Sequence, residues 1–465
     1  PERMRWLVDP GLPPMQLGER FAAAGFQLFL VGGSVRDAFL ERRSDMDFDF
    51  ATDARPDDIE ALLRGWSKTV YTVGKTFGTV GAIKGDHTVE VTTFRKEVYR
   101  DDSRKPHVEF SDSIEVDLSR RDFTINAMAI SFPDVVSVDP YGGAADLVAE
   151  VLRTPLEPEV SFSDDPLRML RLFRFQAVLG FEPGEEAVAA VKDMASRLSI
   201  VSAERVRDEF SKLIVADDPG PALRGLVSTG LADQFVPELS ALAMEQDPVH
   251  RHKDVLAHTI AVVQKASPDL VLRLAALLHD IGKPDTRDFG PAGVSFHHHE
   301  VVGARMARTR LRQLRYPKQV VADVSQLVFL HLRPHTFEMG WSDSAVRRYV
   351  RDAGPLLERL NELVRCDVTT ANRKRAEAIQ ERIDELEQRI DLLMEQEELA
   401  RLRPPINGRE VMSYLGIEPG PLVGDVMDML LERRIEQGPY TEEEAYQLVR
   451  TFALERGLPD PDHAG

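Results

Sequence analysis

The chain has 465 residues, too many for one ordinary core, so two to four domains are expected. Its 43 % hydrophobic content suits globular structure, and no run approaches the ~18 apolar residues that span a bilayer. A net charge of −19 argues against broad, nonspecific nucleic-acid binding, and the single cysteine, Cys366, excludes an intramolecular disulfide framework. The opening PERMRWLVDP lacks a signal-peptide core, which together with the cysteine count predicts a cytoplasmic protein with no membrane partner. Residue 1 is proline, so part of the natural start is expected to be absent.

Residues 1 to about 150 mix two periodicities. QLFLV, DMDFDF, KTVYTV, TVGAI and HTVEVTTF read as strands, with helices near 12–25, 34–42 and 56–65. From about residue 155 the pattern is helical, with Gly and Pro breaks near 180–184, 219–220, 230–237 and 282–293. The fold class expected is α+β, a mixed-sheet head followed by a mostly helical body. Within 373–403, Ile379, Ile383, Leu386, Ile390 and Leu393 form a narrow apolar seam that pairs with another helix of the same chain or across a dimer. Clusters Arg120-Arg121, Arg168/Arg171/Arg174, Arg347-Arg348-Arg351 and Arg373-Lys374-Arg375 are candidates for a local basic track on this acidic body.

The most informative segment is LVGGSVRDAFLERRSDMDFD, residues 30–49. In a strand, Asp47 and Asp49 face one side while Met46, Phe48 and Phe50 face the other. Two carboxylates on one face suit a pair of Mg²⁺ ions that activate an attacking hydroxyl and steady a leaving pyrophosphate. Gly32 and Gly33 leave room for phosphates to meet backbone N–H groups, and Ser34, Arg36 and Asp37 follow at the start of a helix whose N-terminus favours anions. GGSVRD followed by D-x-D resembles the signature of the DNA polymerase beta-like nucleotidyltransferases. This form resembles the class II tRNA nucleotidyltransferases and their bacterial poly(A) polymerase relatives.

Further strings resemble that family in the same order. SRRDFTINAMA (119–129) predicts a helix from about Asp122, with Asp122 and Asn126 one turn apart. The resemblance implies that this face holds the ribose and that Arg121 lies near the triphosphate. DPYGGAADL (139–147) resembles the family's turn between head and body. In SDDPLRMLRLFRF (163–175), Asp165-Pro166 starts a helix, and the plain reading is an Asp165–Arg168 ion pair at i, i+3. The resemblance implies instead that Asp165 and Arg168 read the base edge, with Arg171 also on the nucleotide side. A carboxylate accepts from the amine that C and A share, and guanidinium donates to ring nitrogen and carbonyl groups. Asp164 stands where the family usually shows Glu. SAERVRDEF (202–210) resembles the next motif, with Glu204, Arg205 and Arg207 bracing the base-reading helix. Arg95, Arg100, Asp101, Arg104 and Pro106 approximate a family loop that switches C to A specificity, which favours complete CCA addition. Glu90 is either a third acid of the site or an exposed strand residue.

A second constellation lies in the body. His258, His279-Asp280 and Asp367 fit the order of an HD-type metal site, and LLHDIGKP is its most specific string. His299 and His331 are candidates for a second metal position, with His252, His297 and His298 nearby. Residues 250–370 resemble HD phosphohydrolases, which implies phosphatase or cyclic phosphodiesterase activity. The tail, 406–434, carries Gly416, Pro419, Gly420 and Pro421 in a turn between helices and resembles bacterial CCA-adding enzymes with an HD domain.

The domains expected are a nucleotidyltransferase head at 1–154, a helical neck at 155–247, an HD domain at 248–370 and a C-terminal tRNA-contact region at 371–465. The expected partners are tRNA, ATP and CTP. The expected cofactors are Mg²⁺ in the head and a divalent metal in the HD site, its identity left open by the sequence. The alternatives are poly(A) addition, or HD phosphohydrolysis as the main activity.

Overall fold

The computed structural model describes residues 7–40, 47–98, 107–244, 254–290, 293–336, 341–368, 373–397 and 403–462. Arg100, Asp101, Arg104, Pro106 and His252 lie outside these residues, as do the side chains of Arg373 and Arg375. The chain divides into two compact units, residues 1–241 with 313–316, and residues 242–312 with 317–465.

Among its described residues the first unit has eleven strands: β1 (Leu28–Val31), β2 (Asp47–Thr52), β3 (Thr69–Tyr71), β4 (Thr79–Lys84), β5 (His87–Thr93), β6 (Arg95–Val98), β7 (His107–Phe110), β8 (Ala129–Phe132), β9 (Ser137–Val138) and a short parallel pair, β10 (Val151–Leu152) and β11 (Glu182–Pro183). Seven form one sheet in the order β3-β4-β5-β2-β1-β8-β9, and β6 pairs with β7 separately. The β2–β5 pair is parallel and the other pairs of the large sheet are antiparallel, so the sheet is mixed. β1 is buried along its whole length, whereas β2 alternates at its start, with Asp47 and Asp49 exposed and Phe48 and Phe50 buried. The burial of those two rings sets which way the strand faces, because a one-residue slip would send both into water.

The RRDF segment departs from the sequence expectation. No α-helix starts at Asp122; Thr124–Asn126 form a single 3₁₀ turn, and the chain then enters β8. β8 pairs with β1 over four residues, and its Ala129, Ile130 and Phe132 are buried, so sheet pairing takes the backbone that a helix would need. Beyond the sheet, the helix Leu167–Leu179 packs on the helices Ala203–Ile214 and Gly220–Ser228.

Among its described residues the second unit is helical apart from the hairpin Arg287–Gly290 and Gly293–Phe296. Its long helix Arg373–Glu397 carries the apolar seam, and Ile383, Leu386, Ile390 and Leu393 are all buried within this chain against Asp343–Ala353 and Leu357–Asp367. Flanking ion pairs, Arg365 to Asp384 at 2.7 Å and Arg389 to Asp343 at 2.7 Å, hold the register. The seam is thus satisfied inside one chain. Three further helices, Gly408–Leu415, Pro421–Gln437 and Glu442–Glu455, enclose a cluster of Ile406, Val411, Val426, Leu430, Ala445 and Val449. Among the described residues no helix is long and apolar enough to cross a membrane.

Leu386 is fully buried at the centre of the seam. Leu386→Ala should therefore destabilise the protein by about 3 kcal/mol, read by chemical denaturation. Its melting temperature should not depend on protein concentration; a concentration dependence would place the seam between chains.

Candidate active site

The Gly32-Gly33 turn joins β1 to the helix Gly33–Phe39. Gly32 has φ +71°, a backbone conformation that favours glycine, and a Cβ there would lie 3.1 Å from the guanidinium of Arg121. Ser34 Oγ donates to the Asp47 carbonyl at 3.3 Å, tying the turn to the start of β2. On the open side of β2, Asp49 stands in register with Glu90 of the parallel strand β5, so three acids, Asp47, Asp49 and Glu90, share one face. Tyr71 extends its hydroxyl to Glu90 at 3.3 Å, and its ring lies over Gly81, where a Cβ would fall 2.0 Å from the ring.

The Asp49 carboxylate reaches solvent but is hemmed in by surrounding protein. That desolvation raises its pKa; Arg121 opposes the shift, and the like charges of Glu90 and Asp47 add to it. Acids held this close favour occupation by a cation, and an all-oxygen donor set suits Mg²⁺.

Arg121 is positioned by a residue that the motifs did not single out. Asp117 has no solvent exposure, and its carboxylate pairs with Arg120 Nη2 at 2.7 Å and Arg121 Nη2 at 3.1 Å. Burial alone would raise its pKa, but the two guanidinium groups outweigh that and lower it. An acid three and four residues ahead of two arginines in a helix is the signal that could have revealed it.

A second network joins the remaining candidates. Arg36 Nη1 donates to Asn126 Oδ1 at 2.9 Å, Asn126 Nδ2 donates to Asp122 Oδ1 at 3.0 Å, and Arg171 Nε donates to Asp122 Oδ2 at 2.9 Å. Arg171 and Arg174 then meet the buried Glu209 at 3.2 and 2.6 Å. Desolvation opposes ionisation of Asp122, but Arg171 and Asn126 hold its carboxyl far below the ordinary range. With Phe123 N–H and a second Arg171 bond at Nη2 included, all four acceptor positions of Asp122 are taken. A ribose hydroxyl that meets Asp122 must displace one of these bonds.

Asp165 and Arg168 do not pair with each other. Asp165 Oδ1 accepts from Leu167 N–H at 3.1 Å, capping the helix, and Oδ2 accepts from Arg205 Nη2 at 2.6 Å. Arg168 is buried and donates through Nη1 to Ser161 Oγ at 2.9 Å and through Nη2 to the Arg120 carbonyl. These bonds fix the guanidinium plane and leave its Nε–H and one Nη2–H unused. Arg205 braces Asp165, as the motif suggests, whereas Arg207 donates to the Arg315 carbonyl and Glu204 is exposed. A concavity of about 800 Å³ lined by residues such as Pro155, Val160 and Glu182 contains none of these side chains.

In the second unit, His258, His279, Asp280, His299 and His331 converge with Asp367. His258 Nε2 lies 3.3 Å from His279 Nε2 and 2.9 Å from Asp367 Oδ1. Asp280 divides its oxygens, Oδ2 lying 3.2 Å from His279 Nε2 and Oδ1 3.4 Å from His299 Nε2, and His299 in turn lies 3.3 Å from His331. Nδ1 of His279, His299 and His331 meets the carbonyl three residues back, at 2.8, 2.9 and 2.6 Å, which turns each Nε2 lone pair inward. Two groups that could hold a metal ion result, His258/His279/Asp280 and Asp280/His299/His331, with Asp280 common to both. Burial opposes protonation of His279, yet the carboxylates of Asp280 and Asp367 raise its pKa to about 10, while His331, buried beside His279, is lowered to about 3. The mixed imidazole and carboxylate donors of the cluster suit a transition metal. His297 and His298 are not among the groups that converge.

Asp117→Asn removes the acid that aims Arg121 and leaves two guanidinium groups without it. The expected results are a loss of about 3 kcal/mol in denaturation and weaker nucleotide binding in titrations. The sign follows from the lowered pKa: the wild-type contribution is complete above the ordinary carboxylate value of about 3.9 and is lost as pH falls through the depressed folded value. The stability difference between wild type and variant should thus shrink only on acidification below about pH 4.

Residues 28–153 match the family model described as the poly A polymerase head domain, 180–242 that of the probable RNA and SrmB-binding site of polymerase A, and 255–372 the HD domain. The A-adding tRNA nucleotidyltransferase of Deinococcus radiodurans is 32 % identical over 463 residues, covering 96 % of this chain and 98 % of that one. The CCA-adding enzyme of Bacillus subtilis is 44 % identical over 213 residues, 46 % of this chain and 52 % of that protein, so that match spans about half of each. In fold, the chain is similar to the Bacillus stearothermophilus CCA-adding enzyme solved with CTP, with a TM-score of 0.68 at 24 % identity, covering 96 % and 99 % of the two chains. With the near full-length likeness to the Deinococcus enzyme, the chain belongs to the tRNA nucleotidyltransferase family.

Proposed function

We propose that the protein adds C, C and A to the 3′ ends of tRNA from CTP and ATP without a nucleic-acid template. The observation that carries this reading is the placement of Asp47 and Asp49 on the open face of β2, beside Glu90 and the Gly32 turn. A pair of Mg²⁺ ions held by Asp47 and Asp49 would supply charge that activates the primer hydroxyl and steadies pyrophosphate. The 3′-oxygen attacks the α-phosphorus, the bond to the bridging oxygen of the β-phosphate breaks, and the hydroxyl proton passes to solvent. Gly32, Gly33, Ser34 and Arg36 form the phosphate cradle, and Arg121, aimed by Asp117, draws the triphosphate towards the acids.

Asp165 and Arg168 read the base. Asp165 keeps lone pairs for the amine that C and A share, and the two unused N–H groups of Arg168 suit a ring nitrogen and a carbonyl. Asp122 and Asn126 orient the nucleotide side of the site through Arg36 and Arg171. Addition of A alone is the second reading, because the relative that matches almost end to end is named for that activity. The cluster around Asp280 supports a separate hydrolytic activity on nucleotide or RNA phosphate ends. Both activities belong to the cytoplasm, in keeping with one cysteine in 465 residues.

The test offers purified protein a tRNA that ends before CCA, with CTP, ATP or both, and sequences the products. CTP with ATP should complete CCA. Asp47→Ala should cut incorporation at least about a thousand-fold, equivalent to about 4 kcal/mol, whereas Asp280→Ala should leave it intact and abolish only phosphate-ester hydrolysis. A single A placed on tRNA ending in CC, with no use of CTP, would establish the second reading. Long A tails from ATP alone would identify a poly(A) polymerase.

A further inference from the structure

An acidic protein that handles RNA needs a surface where positive charge is not already spent. Arginines of the clusters visible in the sequence are engaged by acids of the chain: Arg120 and Arg121 share Asp117, Arg171 and Arg174 share Glu209, and Arg348 and Arg351 share Glu432. The helix His299–Gln313 differs. From residue 301 to residue 322 the chain has no carboxylate and carries Arg305, Arg308, Arg310, Arg312, Arg315 and Lys318. The buried face of this helix consists of small and apolar residues, Gly303, Ala304, Ala307 and Leu311. On the opposite side Arg305, Arg308 and Arg312 are exposed at i, i+3 and i+7, and none forms an ion pair with any described residue.

A plain solvated face would account for scattered cations, and the helix macrodipole favours basic residues in the last turn. It does not account for Arg305 and Arg308, which lie before that turn, or for the lack of any acid along the face. Three guanidinium groups in a row about 10 Å long give a run of positive charge that a polyanion complements. They also suit phosphate oxygens, which accept the planar fork of arginine in pairs.

We propose that the exposed row Arg305, Arg308 and Arg312 is a docking face of the second unit for the sugar-phosphate backbone of the tRNA substrate. The assignment rests on the reading of the protein as a tRNA-end nucleotidyltransferase. Phosphate contacts position an RNA without reading its sequence, so the face leaves base choice to the head.

The experiment measures tRNA affinity of the whole protein against salt concentration for the wild type, for the triple variant Arg305→Gln/Arg308→Gln/Arg312→Gln, and for Arg348→Gln as a control arginine already held by acids. Glutamine preserves helix propensity, and circular dichroism with a melting curve checks the fold. The triple variant should bind tRNA about ten-fold or more weakly near 0.15 M salt. The slope of log affinity against log salt should shrink by about two to three, with the KM for CTP unchanged and the control like the wild type. Unchanged affinity and slope in a folded triple variant would overturn the proposal while leaving nucleotidyl transfer by the wild type intact. A wild type that adds no nucleotide to tRNA would overturn both.

Discussion

The structure turns on like-charge carboxylates held close by apolar burial. Phe48 and Phe50 lie in the core, and the two-residue period of β2 then leaves Asp47 and Asp49 no choice but the open face. The parallel register with β5 adds Glu90 beside Asp49. Core packing of two rings therefore maintains an electrostatic arrangement that is unfavourable by itself; the pKa of Asp49 is raised chiefly by desolvation, and Glu90 and Asp47 add to it. Such a site gains most from a ligand that brings positive charge, and the same charge is what a triphosphate requires at its α-phosphorus.

Around those acids the first unit arranges its cations indirectly. Buried Asp117 aims Arg121, and buried Glu209 holds Arg171 and Arg174. Each acid is desolvated and would be costly alone, so removing it should cost more than the worth of one ion pair. The base-reading pair follows the same logic, since Arg205 steadies Asp165 while Ser161 and the Arg120 carbonyl lock Arg168. A guanidinium that is fixed before the nucleotide arrives loses little entropy on binding, which suits a protein side chain used in place of a template. The second unit repeats the principle with imidazoles, whose inward Nε2 atoms are set by backbone carbonyls.

The parts most legible in the sequence were those governed by short periods. The alternation of MDFDF, the glycine turn and the HDIGKP string each encode geometry within a few residues, and the mixed sheet followed by helices matches the elements read from the pattern. What the sequence hid was long-range. The helix expected from Asp122 is absent because β8, a few residues later, pairs with β1 across about one hundred residues of chain. The i, i+3 ion pair expected between Asp165 and Arg168 loses to Arg205, forty residues away. The seam of the long helix could be seen, but its partners within the chain could not, because amphipathic spacing specifies a face and not what covers it. Of the arginines read as a basic track, Arg120, Arg121, Arg171, Arg174, Arg348 and Arg351 meet acids of this chain, since charge counting along a chain ignores acids brought in by folding.

The central claim, that Asp47 and Asp49 jointly hold the cations of nucleotidyl transfer, is tested most directly by a crystal structure with CTP and Mn²⁺ using anomalous scattering. The account predicts two anomalous peaks about 3.5–4 Å apart, both bound by these carboxylates and beside the triphosphate. A triphosphate bound elsewhere, with no peak within bonding distance of either aspartate, would contradict it.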